Sequence, residues 1–454
     1  MAKLVFIGAG SQFGARSFAD LMSFEELQDV EVVLVDINPH HLTPVEQYCR
    51  KIVEHYHAPT RVVAVDDWRD GVLDGANYVV TSFAQGGPAY SGYPFAHDIM
   101  IPQKYGIHQH VADTAGIGGV FRTMRTAPEL MAIASDLERR SPGAYLLNYV
   151  NPMAMLTRIL TKAHPGLKTL GLCHNIQGGI RHIARWIGLS HKEFRYIAAG
   201  INHMAWFLRL EYLDGRDAYP DLLLAIKDPE IYKQRSVQFE ILKAFGYFTT
   251  ESSEHCSEYL PYFLPRESAR ESVGLDVRTV NVEVGKTSER WNDDSDLIRQ
   301  LKGDVPLDLD RSEEYGMHIV HARETDNVYR MNLNVQNDGL ISNLPAETCV
   351  EVTCTVDRTG IHRHYVGDLP VQLAALCRGI GDMQTLASDA VLQRDLRKAY
   401  MACALDPTTA ASATPATIRQ CFNELAEAER EWLEPFWGKT LGVNRPGFTG
   451  DKNS

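Results

Sequence analysis

The chain has 454 residues and a formal net charge of −13, with 44% hydrophobic and 23% charged residues. That balance is ordinary for a soluble globular protein with a large core, and the surplus of carboxylates speaks against nucleic acid or an anionic membrane surface as a partner. No segment approaches the roughly 18 apolar residues of a membrane span, Met1-Ala2-Lys3 runs straight into an apolar stretch without a signal peptide, and the eight cysteines contain no CxxC pair, so reduced thiols in a cytoplasm are expected.

Residues 4–9 form a continuous apolar run closing on glycine, as buried parallel strands do. A helix over 14–28 and a second strand over 30–36 are expected next. A third strand over 78–82 precedes the turn Gln85-Gly86-Gly87. A long helix over 122–140 leads to a fourth strand, 144–149, which Asn151-Pro152 breaks. A fifth, 169–173, ends at Cys173-His174-Asn175. Strands alternating with helices predict an α/β protein with a Rossmann-like doubly wound parallel sheet in residues 1–190. Further on, 195–213 and 328–357 read as strands and 371–404 and 417–433 as helices, so residues 191–454 are expected to form an α+β domain for substrate and self-association. The charged, weakly periodic stretch 265–315 reads as a surface excursion, and the tail from 442 to 454 as a fraying end.

The first strand ends in Gly8-Ala9-Gly10-Ser11 with Gly14 beyond, a relaxed dinucleotide fingerprint. Glycines there let a pyrophosphate approach the backbone and rest on the next helix N-terminus. Asp36 at the end of the second strand suits the ribose hydroxyls of NAD and repels the 2′-phosphate of NADP. Gln85 and Gly86 after the third strand join this cofactor set. The bland alternative is a tight structural turn.

Ligands of open α/β sheets bind beyond the carboxyl ends of the strands. Asn151, Cys173, His174, Asn175, Asn202 and His203 fall at or just after such ends, and the long loop after the third strand carries Asp113, followed by Arg122. Singly, Cys173 reads as a buried thiol, His203 as a core histidine and Asn151-Pro152 as a turn. Together they offer a soft thiolate and an imidazole to one transition metal, and ligand softness points to zinc or iron.

These residues also resemble a known family. Phe6-Ile7-Gly8-Ala9-Gly10-Ser11, Asp113-Thr114-Ala115-Gly116-Ile117-Gly118-Gly119, Asn148-Tyr149-Val150-Asn151-Pro152-Met153, Cys173-His174 and Gly200-Ile201-Asn202-His203-Met204 are similar to the motifs of glycoside hydrolase family 4. Residues 247–255, Asn337-Asp338-Gly339 and Asn343-Leu344-Pro345 extend the likeness, which leans towards the bacterial α-galactosidase branch. The resemblance implies NAD and manganese as cofactors, the latter displacing the zinc or iron reading, with Cys173 and His203 as metal ligands. It implies that a C3 hydroxyl is oxidised by NAD, a C2 proton removed, the glycosidic bond eliminated, and water and hydride returned. Asn151, Asn202, His174, Asn175 and Arg122 would bind sugar, although Arg122 equally suits a structural salt bridge. Asp113 would assist the leaving group or orient the metal site, and the C2 base would come from Glu251, Glu254 or His255.

Relatives acting on 6-phosphosugars carry Asn or Asp directly after the metal-binding Cys, whereas His174 stands there in this chain, so an unphosphorylated sugar is expected. An α-galactoside is the first expectation, an α-glucoside or α-glycuronide the alternative, and a homo-oligomer is expected from the apolar C-terminal helices. Two readings from other classes remain: an NAD-dependent 2-hydroxyacid dehydrogenase and a non-catalytic NAD sensor.

Overall fold

A computed structural model describes residues 1–69, 71–86, 92–280, 282 and 295–443. Its strands are β1 (Ala2–Ile7), β2 (Val30–Val35), β3 (Arg61–Val65), β4 (Tyr78–Thr81), β5 (Tyr145–Asn148), β6 (Lys168–Gly171), β7 (Phe194–Ile201), β8 (Met204–Tyr212), β9 (Tyr329–Gln336), β10 (Cys349–Asp357) and β11 (Gly360–Arg363). They form one sheet in the order β3-β2-β1-β4-β5-β6-β9-β10-β7-β8, with β11 paired to β10. The first six are parallel, which is the doubly wound order of a dinucleotide-binding fold. From β6 onward every pairing is antiparallel.

Burial explains the apolar runs. Leu4 and Phe6 pack into one layer with Phe18 and Leu21, while Val5 and Ile7 pack into the other with Leu130 and Ile133. A strand covered by helices on both faces has no polar side, and each such side chain contributes about 1.5–3 kcal/mol when fully buried.

Several elements differ from the sequence reading. The helix Pro39–Tyr56 and the edge strand β3 lie between the expected second and third strands. The helix expected from 122 starts at Gly116, where φ is +71° and a run of glycines hides the helical pattern. Residues 195–213 are the hairpin of β7 and β8, and 328–357 hold β9 and β10. The helix expected over 371–404 breaks at Arg394, whose φ is +52°, and Asp395 caps the next helix through the backbone N–H groups of Arg397 and Lys398. The excursion 265–315 contains the helices Glu267–Ser272 and Asp296–Lys302. Gly87 and residues 444–454 of the tail lie outside the described residues.

One row of the sheet places the site. Gly171 of β6 pairs with Asn334 of β9, Asn334 with Glu351 of β10, and Glu351 with Gly200 of β7. Cys173 follows just past one end of that row, and His203 sits in the β7–β8 turn past the other. Among the described residues no helix is long and apolar enough to cross a membrane.

A buried ion triad ties the C-terminal helices to this frame. Arg125 reaches Asp98 at 2.5 Å and Glu429 at 3.0 Å, and all three side chains are almost wholly buried. Removing the cation strands two carboxylates in the interior, where breaking a buried pair costs roughly 3–5 kcal/mol. Arg125→Met is therefore expected to lower urea-unfolding stability by about that amount; a loss below about 1 kcal/mol would show that the triad carries little.

Candidate active site

The dinucleotide end is built for close backbone approach. Gly8 has a φ of +85°, and a Cβ there would meet the Ser82 carbonyl oxygen at 2.5 Å. At Gly10 a Cβ would meet Asp36 Oδ2 at 2.7 Å. The Asp36 carboxylate accepts from the Gly10 N–H at 2.8 Å and from the Asn38 N–H at 2.9 Å, which fixes it beside the glycine turn. Ser11 caps the helix Gln12–Met22 by accepting from the Gly14 N–H. Gly86 has a φ of +93°, and a Cβ there would meet Pro94 Cδ at 2.6 Å and Trp432 Nε1 at 2.9 Å. Gln85 is half-buried beside it.

At the other end of the register row, three donor atoms converge. One ligand atom each of Cys173, His203 and Glu251 lies within 4.8 Å of the other two. His203 Nε2 stands 3.1 Å from Glu251 Oε1, and its Nδ1 is 3.3 Å from Thr114 Oγ1. A ligating imidazole is oriented by a hydrogen-bond partner on its second ring nitrogen, the position Thr114 Oγ1 takes here. Both His203 and Glu251 sit at positive φ, +65° and +86°, conformations a non-glycine residue keeps only where its surroundings impose them. The Cys173 backbone is pinned by Tyr315: its hydroxyl accepts from the Cys173 N–H at 3.1 Å and shares its proton between the carbonyls of Asn332 and Cys173. Burial pushes the Cys173 thiol up, and the carboxylates of Glu251, Glu351 and Glu314 push it further. A divalent cation reverses that balance, since a coordinated thiol is deprotonated outright. The S, N and O donor set, and the two buried amide atoms of Asn202 that lack partners among the described residues, fit a metal with open positions for substrate oxygens.

Beside the donors lies a proton-carrying pair. His255 Nε2 is 3.4 Å from Asp113 Oδ1 and its Nδ1 3.4 Å from Glu251 Oε2. Burial alone would lower the His255 imidazolium, but the charges of Asp113 and Glu251 override it and lift it to about 10. Burial would raise the Asp113 carboxyl; His255, Arg122 and His203 override it and hold it below the usual carboxylate range. Asn151 donates to Asp113 Oδ2 at 2.9 Å. The loop carrying Asp113 is clamped from the helix Ser253–Glu258, because Glu258 accepts from the consecutive N–H groups of His110, Val111 and Ala112. Asp406 anchors the same loop through the Gly116 N–H.

The structure thus brings together Cys173, His203, Glu251, His255, Asp113, Asn151 and Asn202. Arg122 is buried and acts on Asp113 by its charge. His174 and Asn175 line an adjoining groove, with His174 Nδ1 2.7 Å from Glu314 Oε1. Glu254 is exposed and belongs to neither the donor cluster nor the groove. Thr114, Glu258, Tyr315 and Glu351 are additional residues of the site. Thr114 was visible as Asp113's neighbour; the others act across 140 residues or more of chain and leave no local signal.

Fold and site together define a dinucleotide-binding α/β protein with a thiolate–imidazole–carboxylate cluster at the sheet's rim. The family 4 glycosyl hydrolase profile matches residues 3–189, and the profile of that family's C-terminal domain matches residues 198–409. The chain belongs to family 4 of the glycosyl hydrolases. It is 37% identical over 440 residues to an alpha-galactosidase of Bacillus subtilis, covering 96% of this chain and 100% of that one. An alpha-galactosidase of Rhizobium meliloti is 36% identical, with 96% and 89% covered. Among solved structures, a 6-phospho-alpha-glucosidase from gut microorganisms in complex with NAD and Mn2+ shares the fold at a TM-score of 0.76 and 18% identity, covering 95% of this chain and 98% of that one.

If Thr114 orients His203, Thr114→Val lowers manganese affinity about 10–100-fold, and Cys173→Ala abolishes tight binding. Calorimetric titration of the purified variants with manganese checks both. Affinities equal to that of the unaltered protein would remove these residues from the metal site.

Proposed function

We propose that the protein hydrolyses an unphosphorylated α-galactoside with NAD and manganese bound. The observation that carries the reading is the donor cluster of Cys173, His203 and Glu251, held at the rim of the sheet whose first turn forms the dinucleotide cradle. The relatives at 37% and 36% identity, both alpha-galactosidases by name, favour the galactoside over the glucoside or uronide. Arg235 is the one Lys or Arg in the lining of the groove next to the cluster, which also holds the carboxylates of Glu251 and Glu313, the latter paired with Arg181. A sugar phosphate seeks clustered cations, so this lining favours a neutral ring.

When bound, NAD supplies a hydride acceptor for C3, and the metal a Lewis acid for the C2 and C3 oxygens. The chain's own residues do the rest. Gly8, Gly10 and Ser11 receive the pyrophosphate, Asp36 takes the ribose hydroxyls, and Gln85 and Gly86 border that cradle. Cys173 and His203 hold the metal, and Glu251 closes the cluster. His255 is placed to move a proton at its Nε2, with Asp113 balancing its charge and Asn151 fixing the Asp113 carboxylate. Asn202, with donor and acceptor both unpartnered among the described residues, offers its amide to sugar hydroxyls. Seven of the eight cysteines are buried and all are free, which supports a reducing cytoplasm. Exposed Tyr365 and Val371, before and at the start of the helix Val371–Gln393, support a surface covered by a second copy in a homo-oligomer.

The His255–Asp113 pair is also what a 2-hydroxyacid dehydrogenase needs, and one assay separates the two. With 4-nitrophenyl α-galactoside, NAD and manganese, nitrophenol is expected to be released with no net rise in NADH absorbance. In heavy water the galactose is expected to carry deuterium at C2. NADH accumulating in step with product, or galactose without deuterium, contradicts the reading.

A further inference from the structure

The segment between the helices Phe95–Lys104 and Gly116–Arg140 carries Asp113 and forms neither helix nor strand. Its geometry comes from elsewhere in the chain. The N–H groups of His110, Val111 and Ala112 converge on Glu258 Oε1, which accepts them at 2.5, 2.7 and 3.1 Å. Ala112 closes that run at a φ of +52°, and successive N–H groups ending in a left-handed residue make a concavity that takes an anion. Here the anion is the protein's own carboxylate. Burial pushes the Glu258 carboxyl up to about 7 against the pull of those N–H groups and of His255, so the group is costly to keep in the interior.

The far end of the segment is held by a second buried carboxylate. Asp406 accepts from the Gly116 N–H at 3.1 Å and from the Thr409 N–H at 2.8 Å. Gln109 spans the turn between them, donating to the Ala115 carbonyl and accepting from the Gly118 N–H. Thr408, next to Asp406, shares its hydroxyl proton between the carbonyls of Glu258 and Leu260, so both carboxylates belong to one support.

Glu258 also sits on the same short helix as His255, Ser253–Glu258. Residues three apart are neighbours on a helix surface. One turn therefore presents the His255 imidazole to the Asp113 side chain and the Glu258 carboxylate to the main chain leading into Asp113. The 3.4 Å between His255 Nε2 and Asp113 Oδ1 is fixed from both sides. A reacting pair tolerates little error in such a spacing, since a misplacement of about 1 Å can cost on the order of 100-fold in rate.

We infer that Glu258 is the positioning residue that sets the Asp113–His255 spacing for the proton step, with Asp406 as its counterpart at the other end of the segment. This rests on the proposed hydrolysis, in which that pair moves the proton. Neither residue belongs to the donor cluster, the groove or the dinucleotide turn, so binding of metal, sugar and NAD is expected to survive the loss of either.

In Glu258→Gln an amide of the same shape replaces the carboxylate, and its NH2 group faces N–H groups that already donate. Hydrogen exchange read by mass spectrometry is expected to show the amides of residues 110–112 exchanging about tenfold faster or more than in the unaltered protein. With 4-nitrophenyl α-galactoside, NAD and manganese, kcat is expected to fall about tenfold or more, while KM and the calorimetric manganese affinity stay within about twofold. In an Asp113→Asn background the same change is expected to lower kcat by less than about twofold further, because residues that act through one another are not additive. Asp406→Asn, which keeps its shape and one accepting oxygen, carries the same expectations with exchange read at Gly116, and serves if Glu258→Gln does not fold. Undisturbed exchange, an unchanged kcat, or an equal loss with Asp113 already replaced would each overturn the assignment. So would a manganese affinity weakened by the same factor as kcat, the mark of a collapsed site. If the unaltered enzyme cleaves another α-glycoside instead, the galactoside reading fails alone, and the same pair of variants on that sugar decides the role of Glu258.

Discussion

The hydrogen-bond register across β6, β9, β10 and β7 governs the rest of this molecule. Strand registers are discrete, and a slip of one residue turns every side chain to the opposite face. Because Gly171, Asn334, Glu351 and Gly200 stand in one row, the thiol of Cys173 and the imidazole of His203 meet although two different elements deliver them. Cys173 arrives as the continuation of a parallel strand. His203 arrives from a hairpin turn, because three successive antiparallel pairings make β7 run against β6. A parallel sheet extended by antiparallel strands thus joins a dinucleotide cradle to a metal-type donor set within one sheet.

That row also carries an electrostatic cost. Glu351 is fully buried with both oxygens unpartnered among the described residues, and burial followed by the Glu251 charge pushes its carboxyl up to about 8. Asn334 and Asn202 flank it with amide groups that also lack partners among the described residues. Interiors rarely leave so many polar atoms unsatisfied, and where they do the explanation is usually a bound group or a catalytic task. The positive φ of His203 and Glu251 adds strain at the same point. The ledger is balanced elsewhere, by the Arg125 triad, the Glu258 clamp on the Asp113 loop and the two apolar layers around β1.

Much of this was legible in the amino-acid order. Continuous apolar runs closing on Gly8, Asp36 and Cys173 reveal the parallel half, because a strand buried on both faces leaves no alternation to misread. Strand ends named the residues of the rim for the same reason. The strand β3 escaped because its short run, Arg61 to Val65, sits at an edge and is mostly half-buried. The stretch Glu251 to His255 offered three candidate bases that sequence could not separate; once residues Ser253–Glu258 wind into a helix, successive side chains diverge, His255 turns inward and Glu254 outward. Arg235, Glu258 and Tyr315 were invisible because their partners are set by tertiary packing and no local spacing encodes it.

The central claim is that Cys173, His203 and Glu251 surround one cation next to the dinucleotide. Crystals grown with NAD and manganese, measured at the manganese absorption edge, test it directly through the anomalous difference map. The account predicts a single strong peak in contact with Cys173 Sγ and His203 Nε2. A peak elsewhere in the chain, or none in crystals whose dinucleotide is ordered, would contradict it.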